Sequence, residues 1–203
     1  MRARIRAAGV AAMIGGLLWS IDVLVVHGFS YDKPSNGTGF YVLQVVSLVG
    51  FCAFLLAVQG LVWDNAIGTG RFGLWSLRIF QVGLGLIMAG GLYSMATGNQ
   101  DNAFFPLGGL SIAVTSILTG IAVVRAGTWT GARRFAPLLV GLYYLFGMMV
   151  PAIFASSKSG GPPPVLAVIW GAAWVVLGVA YFAPSDSRPA VHRQERELTV
   201  ARS

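Results

Sequence analysis

The chain predicts an all-α membrane protein: a bundle of six transmembrane helices with both termini in the cytoplasm. Three observations predict it. Hydrophobic residues fill 56% of the 203 positions and charged residues only 10%, with a mean hydropathy of +0.72. A water-soluble domain of that composition would lack the polar surface to cover its own core, so the bilayer is the solvent. The apolar residues gather into six stretches near the length that crosses a hydrocarbon layer, about 20 residues. The basic residues then fall on alternate sides. Arg2, Arg4, Arg6, Arg71, Arg78, Arg125, Arg133, Arg134, Arg188, Arg193, Arg196 and Arg202 share one side, and the other has Lys33 and Lys158. Arginine-rich short loops stay in the cytoplasm, and miscounting one span would have mixed the two sets.

The first span is Ala7–Gly28. With Met1–Arg6 before it, the stretch resembles the start of a secretory signal. It is too long for one, however, is interrupted by Asp22 and lacks a clear cleavage site, so it is expected to be retained. The remaining spans are Gly39–Trp63, Leu74–Thr97, Phe104–Val124, Phe135–Ala155 and Val165–Phe182, separated by breaks rich in Gly, Pro, Asn, Asp and Ser. Residues 1–183 thus form one transmembrane domain, and 184–203 a polar cytoplasmic tail. Arg78 falls inside the third span; either its side chain snorkels to the cytoplasmic face or Phe72–Leu77 lies along the interface first. Stripes of small residues predict where helices meet: Ala8, Ala11, Gly15 and Asp22 in span one, Gly109, Ala113, Ser116 and Gly120 in span four, and Ala167, Gly171 and Gly178 in span six. In span five Pro151 has no N–H to offer the Gly147 carbonyl, which predicts a kink. Of an inverted repeat of three-span halves there is only a shared Gly-Gly-Leu, at Gly15–Leu17 and Gly108–Leu110.

Composition also excludes. The single Cys52 forbids an internal disulfide and is read as a packing residue. A net charge of +7 would suggest nucleic acid in a soluble protein; here it is topology, and no nucleic-acid partner is expected. Metal, nucleotide and serine-hydrolase motifs are absent, and of the two histidines only His27 is in a span, which argues against haem. No cofactor or metal is expected.

What remains is an acid inside a membrane span, a costly placement that suggests a site. Asp22 lies about 9 Å below the outer end of span one, and Gln44 enters span two from the same side at a similar depth. Asp22 shares a stripe with small residues and is expected to face the bundle, within reach of Gln44, Ser47, Tyr93 and Ser94. Trp19, Tyr143, Tyr144, Trp170 and Trp174 fall inside spans, either as core or as walls of a cavity. The candidate ligand-binding residues are Asp22, Gln44, Trp19, Tyr93, Ser94, Tyr143 and Trp170. Three readings follow. The first is binding or transport of a small, largely apolar molecule in an outer-half pocket anchored by Asp22. The second is an accessory or structural subunit of a larger membrane complex, packing on a protein partner or another copy. The third is a membrane-embedded enzyme with Asp22 as general acid, ranked last because no second catalytic group shows at a matching depth. The expected location is the plasma membrane, with arginine-over-lysine usage hinting at a bacterial inner membrane.

Overall fold

In the computed structural model, residues 2–28, 37–155 and 164–183 are described, without the side chains of 26–28 and 155. Lys33, Asn36, Lys158, the polar tail with His192 and the side chain of His27 lie outside the described residues. Every regular element among the described residues is helical. The helices are α1 (Arg2–Gly28), α2 (Thr38–Trp63), α3 (Arg71–Thr97) and α4 (Phe104–Ala126). A fifth rod runs from a 3₁₀ turn (Gly131–Phe135) through α5 (Ala136–Leu142), a π-helical segment (Tyr143–Met149) and α6 (Val150–Ala155). The last helix is α7 (Pro164–Ala180).

The apolar stretches set these boundaries to within a few residues, except at two starts. The first helix begins at Arg2 and the third at Arg71, ahead of the predicted Ala7 and Leu74. Arginine is a good helix former whose long stem lets the charge stay at the interface, so the helix continues past the apolar run. Because α3 is continuous from Arg71, Phe72–Leu77 is no separate interfacial segment. Two ends are fixed by left-handed glycines: Gly98 at φ 72°, whose N–H donates to the Ser94 carbonyl at 2.8 Å, and Gly127 at φ 65°. Four helices and the fifth rod are long and apolar enough to cross a membrane. At 17 residues, α7 rises roughly 25 Å and stands at the short limit for a span.

Packing divides the bundle into two sets. Along most of its length α1 lies against both α2 and α7, while α3 lies on α4 and α4 on α5; α2 meets α3, and α5 meets α7, over much less. The sets are therefore α7–α1–α2 and α3–α4–fifth rod, so the last helix returns to the first and the grouping departs from two sequential halves. Small residues explain the tight pairs. A Cβ added to Gly171 would lie 2.5 Å from the Gly16 carbonyl oxygen, and one on Gly178 would lie 2.6 Å from that of Gly9. Ala8 meets Gly60 in the same way, and a Cβ on Gly141 would come 2.6 Å from the Ile117 nitrogen. Since lipid offers no hydrophobic drive for helix association, such backbone approach is what holds the helices.

The centre is aromatic. Phe54 stacks on Trp174 at 4.0 Å, and Trp170 meets Trp174 edge-on at 5.9 Å. Both tryptophans are fully buried. One sequence expectation is corrected. Cys52 is exposed rather than packed, because it shares the outward stripe of Val45, Val49 and Leu56. The break at Pro151 takes the form of a π segment, in which the Val150 N–H donates to the Leu145 carbonyl five residues back. Widening the turn accommodates the missing proline donor and its ring.

Candidate functional site

Helix register fixes the depth of Asp22. Ala8 packs on Gly60 and Gly15 on Gly50 and Phe54, so α1 and α2 run antiparallel and Asp22 comes level with Leu43–Ser47. Against α7, the pairs Gly9–Gly178 and Gly16–Gly171 put Asp22 level with the first turn of that helix. It therefore sits toward the end of the bundle away from the arginines, half-buried. Its Oδ1 is buried and finds no hydrogen-bonding partner among the described residues.

One turn before it, Trp19 does have a partner: its Nε1–H donates to the Ala167 carbonyl at 3.0 Å. The Trp19 ring meets Phe51 at 5.7 Å and Trp170 at 5.2 Å, both edge-on. Trp170 also touches Tyr144 at 5.0 Å, across the seam between the two helix sets. Thus the structure brings Trp19 and Trp170 together, and the tyrosine that joins them is Tyr144. Tyr143 is half-buried beside Gly147, with its hydroxyl buried and unpartnered among the described residues. The Nε1–H groups of Trp170 and Trp174 are in the same condition.

The other seam, between α2 and α3, carries Gln44. Its Nε2 donates to the Gly91 carbonyl at 3.5 Å, a long bond. Beside it is a cavity of about 20 Å³ lined by Gln44, Ser47, Leu48, Phe51, Ile87, Met88, Gly91 and Phe105, room for about one water. Ser94 is buried; its hydroxyl donates to the Gly90 carbonyl at 2.9 Å and accepts from Asn102 Nδ2 at 3.3 Å. Tyr93 is exposed on the outward face against Phe104, ring centroids 6.2 Å apart. The seven candidates thus lie in three places: Asp22, Trp19 and Trp170 in the first set, Gln44 at the α2–α3 seam, and Ser94, Tyr93 and Tyr143 on the second set.

The arginine-bearing end holds features the sequence did not single out. Trp129, in a loop, is fully buried; its Nε1–H donates to Asp64 Oδ2 at 2.7 Å, its ring meets Tyr181 edge-on at 5.2 Å, and Arg133 lies over it at 5.3 Å. The Tyr181 hydroxyl donates to the Ala57 carbonyl at 2.6 Å. These contacts tie the α4–fifth rod loop to the ends of α2 and α7. A loop tryptophan was the available signal, but nothing local says which carboxylate it meets. Nearby, a cleft of about 570 Å³ opens between Asn65–Gly73 and the end of α4, with Arg125 and Thr128 on its wall. The glycine-rich break between spans two and three is its only trace in the sequence.

Apolar helices of this number and length are those of a membrane protein. Comparison of the chain with protein-family models, with curated proteins and with solved structures yields no match.

Proposed function

We propose that this bundle binds or transports a small, largely apolar molecule carrying a hydrogen-bond donor, held by Asp22 in the outer half of a bacterial plasma membrane. The observation that carries the reading is the buried Oδ1 of Asp22, which no described residue satisfies. A buried polar atom left without a partner costs about 1–3 kcal/mol, more when charged, and a bound hydroxyl or amine offsets that cost. Two further features support it. The helices form two sets with sparse seams, and rocking of such sets against each other is the motion by which many carriers expose a site alternately. Hydroxyl and indole N–H groups on Tyr143, Trp170 and Trp174, unpartnered among the described residues, lie deeper in the same bundle.

Native mass spectrometry of protein extracted gently from its own membrane tests the reading. A bound small molecule is expected, and Asp22→Asn, with unchanged thermal unfolding, should lower its occupancy about tenfold, the worth of one hydrogen bond to a charged acceptor. Undiminished occupancy in Asp22→Asn overturns the assignment. A stoichiometric protein partner with no small molecule would replace it with the accessory-subunit reading.

A further inference from the structure

A second polar cluster sits on the membrane-facing surface near the arginine-bearing end, independent of Asp22. Arg78 is seven residues inside α3, roughly 10 Å along the axis from Arg71, and is exposed between Trp75 and Val82, which are themselves 67% and 59% exposed. Its Nη1 donates to Gln81 Oε1 at 2.8 Å and to Gln59 Oε1 of α2 at 3.3 Å, and Gln81 Nε2 donates to the same Gln59 oxygen at 3.1 Å. Both amide oxygens are thereby engaged as acceptors. What the cluster still presents is donors: Nε and Nη2 of Arg78 and the remaining amide protons of the two glutamines. Among the described residues no carboxylate pairs with Arg78. The result is a positive, donor-rich spot on an apolar surface.

We propose that Arg78, Gln59 and Gln81 bind the phosphodiester of an anionic phospholipid in the leaflet at the arginine-bearing end. Phosphate oxygens are acceptors only, and a guanidinium fork matches their geometry and charge. An arginine at this depth draws headgroup phosphate toward it, while the outward stripe of Ile79 and Val82 on α3 and Cys52 and Leu56 on α2 provides apolar contact for the acyl chains. A second copy of the chain fits less well, because a twofold interface centred here would set Arg78 against its own equivalent. Soluble phosphate lacks the chains that the surrounding surface accepts.

The test is native mass spectrometry of the full chain in neutral detergent with added phosphatidylglycerol or phosphatidylcholine. Wild-type protein should retain phosphatidylglycerol in preference, Arg78→Gln should retain about tenfold less, and Arg78→Lys, which keeps the charge but loses the fork, should fall between. Arg4→Gln, an equal loss of charge elsewhere on the same end, should retain as much as wild type. Any of four results overturns the proposal: equal retention by Arg78→Gln, an equal loss in Arg4→Gln, displacement of the lipid by inorganic phosphate, or a lipid-free wild-type dimer that Arg78→Gln splits.

Discussion

Asp22 and Asp64 show how neighbours decide what a carboxylate does. Asp64 stands at the C-terminus of α2, where the helix dipole disfavours negative charge; the 2.7 Å bond from the Trp129 indole offsets that, and the residue becomes part of a clamp. Asp22 has no such donor among the described residues for its buried oxygen, which is why it, and not Asp64, is the candidate anchor. Glycine is the other residue whose surroundings decide its role. At Gly171 an added Cβ would press on Ser20 Oγ and the Gly16 carbonyl, whereas at Gly85 it would meet nothing within 4 Å among the described residues. Gly171→Val is therefore expected to lower stability by about 1–3 kcal/mol, the usual cost of overpacking, and Gly85→Val to change it far less. Thermal unfolding of both variants in the same detergent checks this; equal midpoints would mean that α1 and α7 do not approach so closely.

At the scale of elements, each helix was legible because it is one contiguous apolar run, and the length of a run is a local property. How the runs pair is not. The small stripe predicted on α7 does meet α1, through Gly171 and Gly178, but its partners are Gly9 and Gly16, on a different face from the Ala8, Ala11 and Gly15 stripe. That choice depends on the chain closing its last helix onto its first. Pro151 was visible as a break, yet its form, a π segment, depends on how freely the following turns can rotate. Phe154 in α6 is 79% exposed, so little packing there resists rotation. Pro151→Ala restores a donor for the Gly147 carbonyl and removes the ring. The expected outcome is a continuous α-helical rod, its last segment turned by about 100° for the residue removed from the wide turn, with stability raised by about 1–3 kcal/mol. A structure of the variant checks the register. A π segment that persists would assign it to packing around Met148 and Tyr144 instead.

For the whole molecule, the arginines and the packing agree on one axis. Tyr181 at the end of α7, Trp129 before the fifth rod and Asp64 at the end of α2 meet at one end of the bundle, the end that also carries Arg2, Arg71 and Arg125. The turn Gly98–Asn102, held by the Asn99 and Asn102 side chains, lies at the other. If the arginine-bearing end is cytoplasmic, a cysteine placed at Thr69 should be shielded in intact cells from a membrane-impermeant thiol reagent and labelled only after the membrane is opened. One placed at Asn99 should be labelled at once. Both positions are exposed, so failure to react reports sidedness rather than burial. The native Cys52 should give little background, since the surface it faces is covered by lipid, not water. The opposite labelling pattern would invert the molecule, moving the Asp22 site to the cytoplasmic half and the Arg78 cluster to the outer leaflet. It would leave the helix packing as described, because small residues and aromatic contacts hold the two sets together in either orientation.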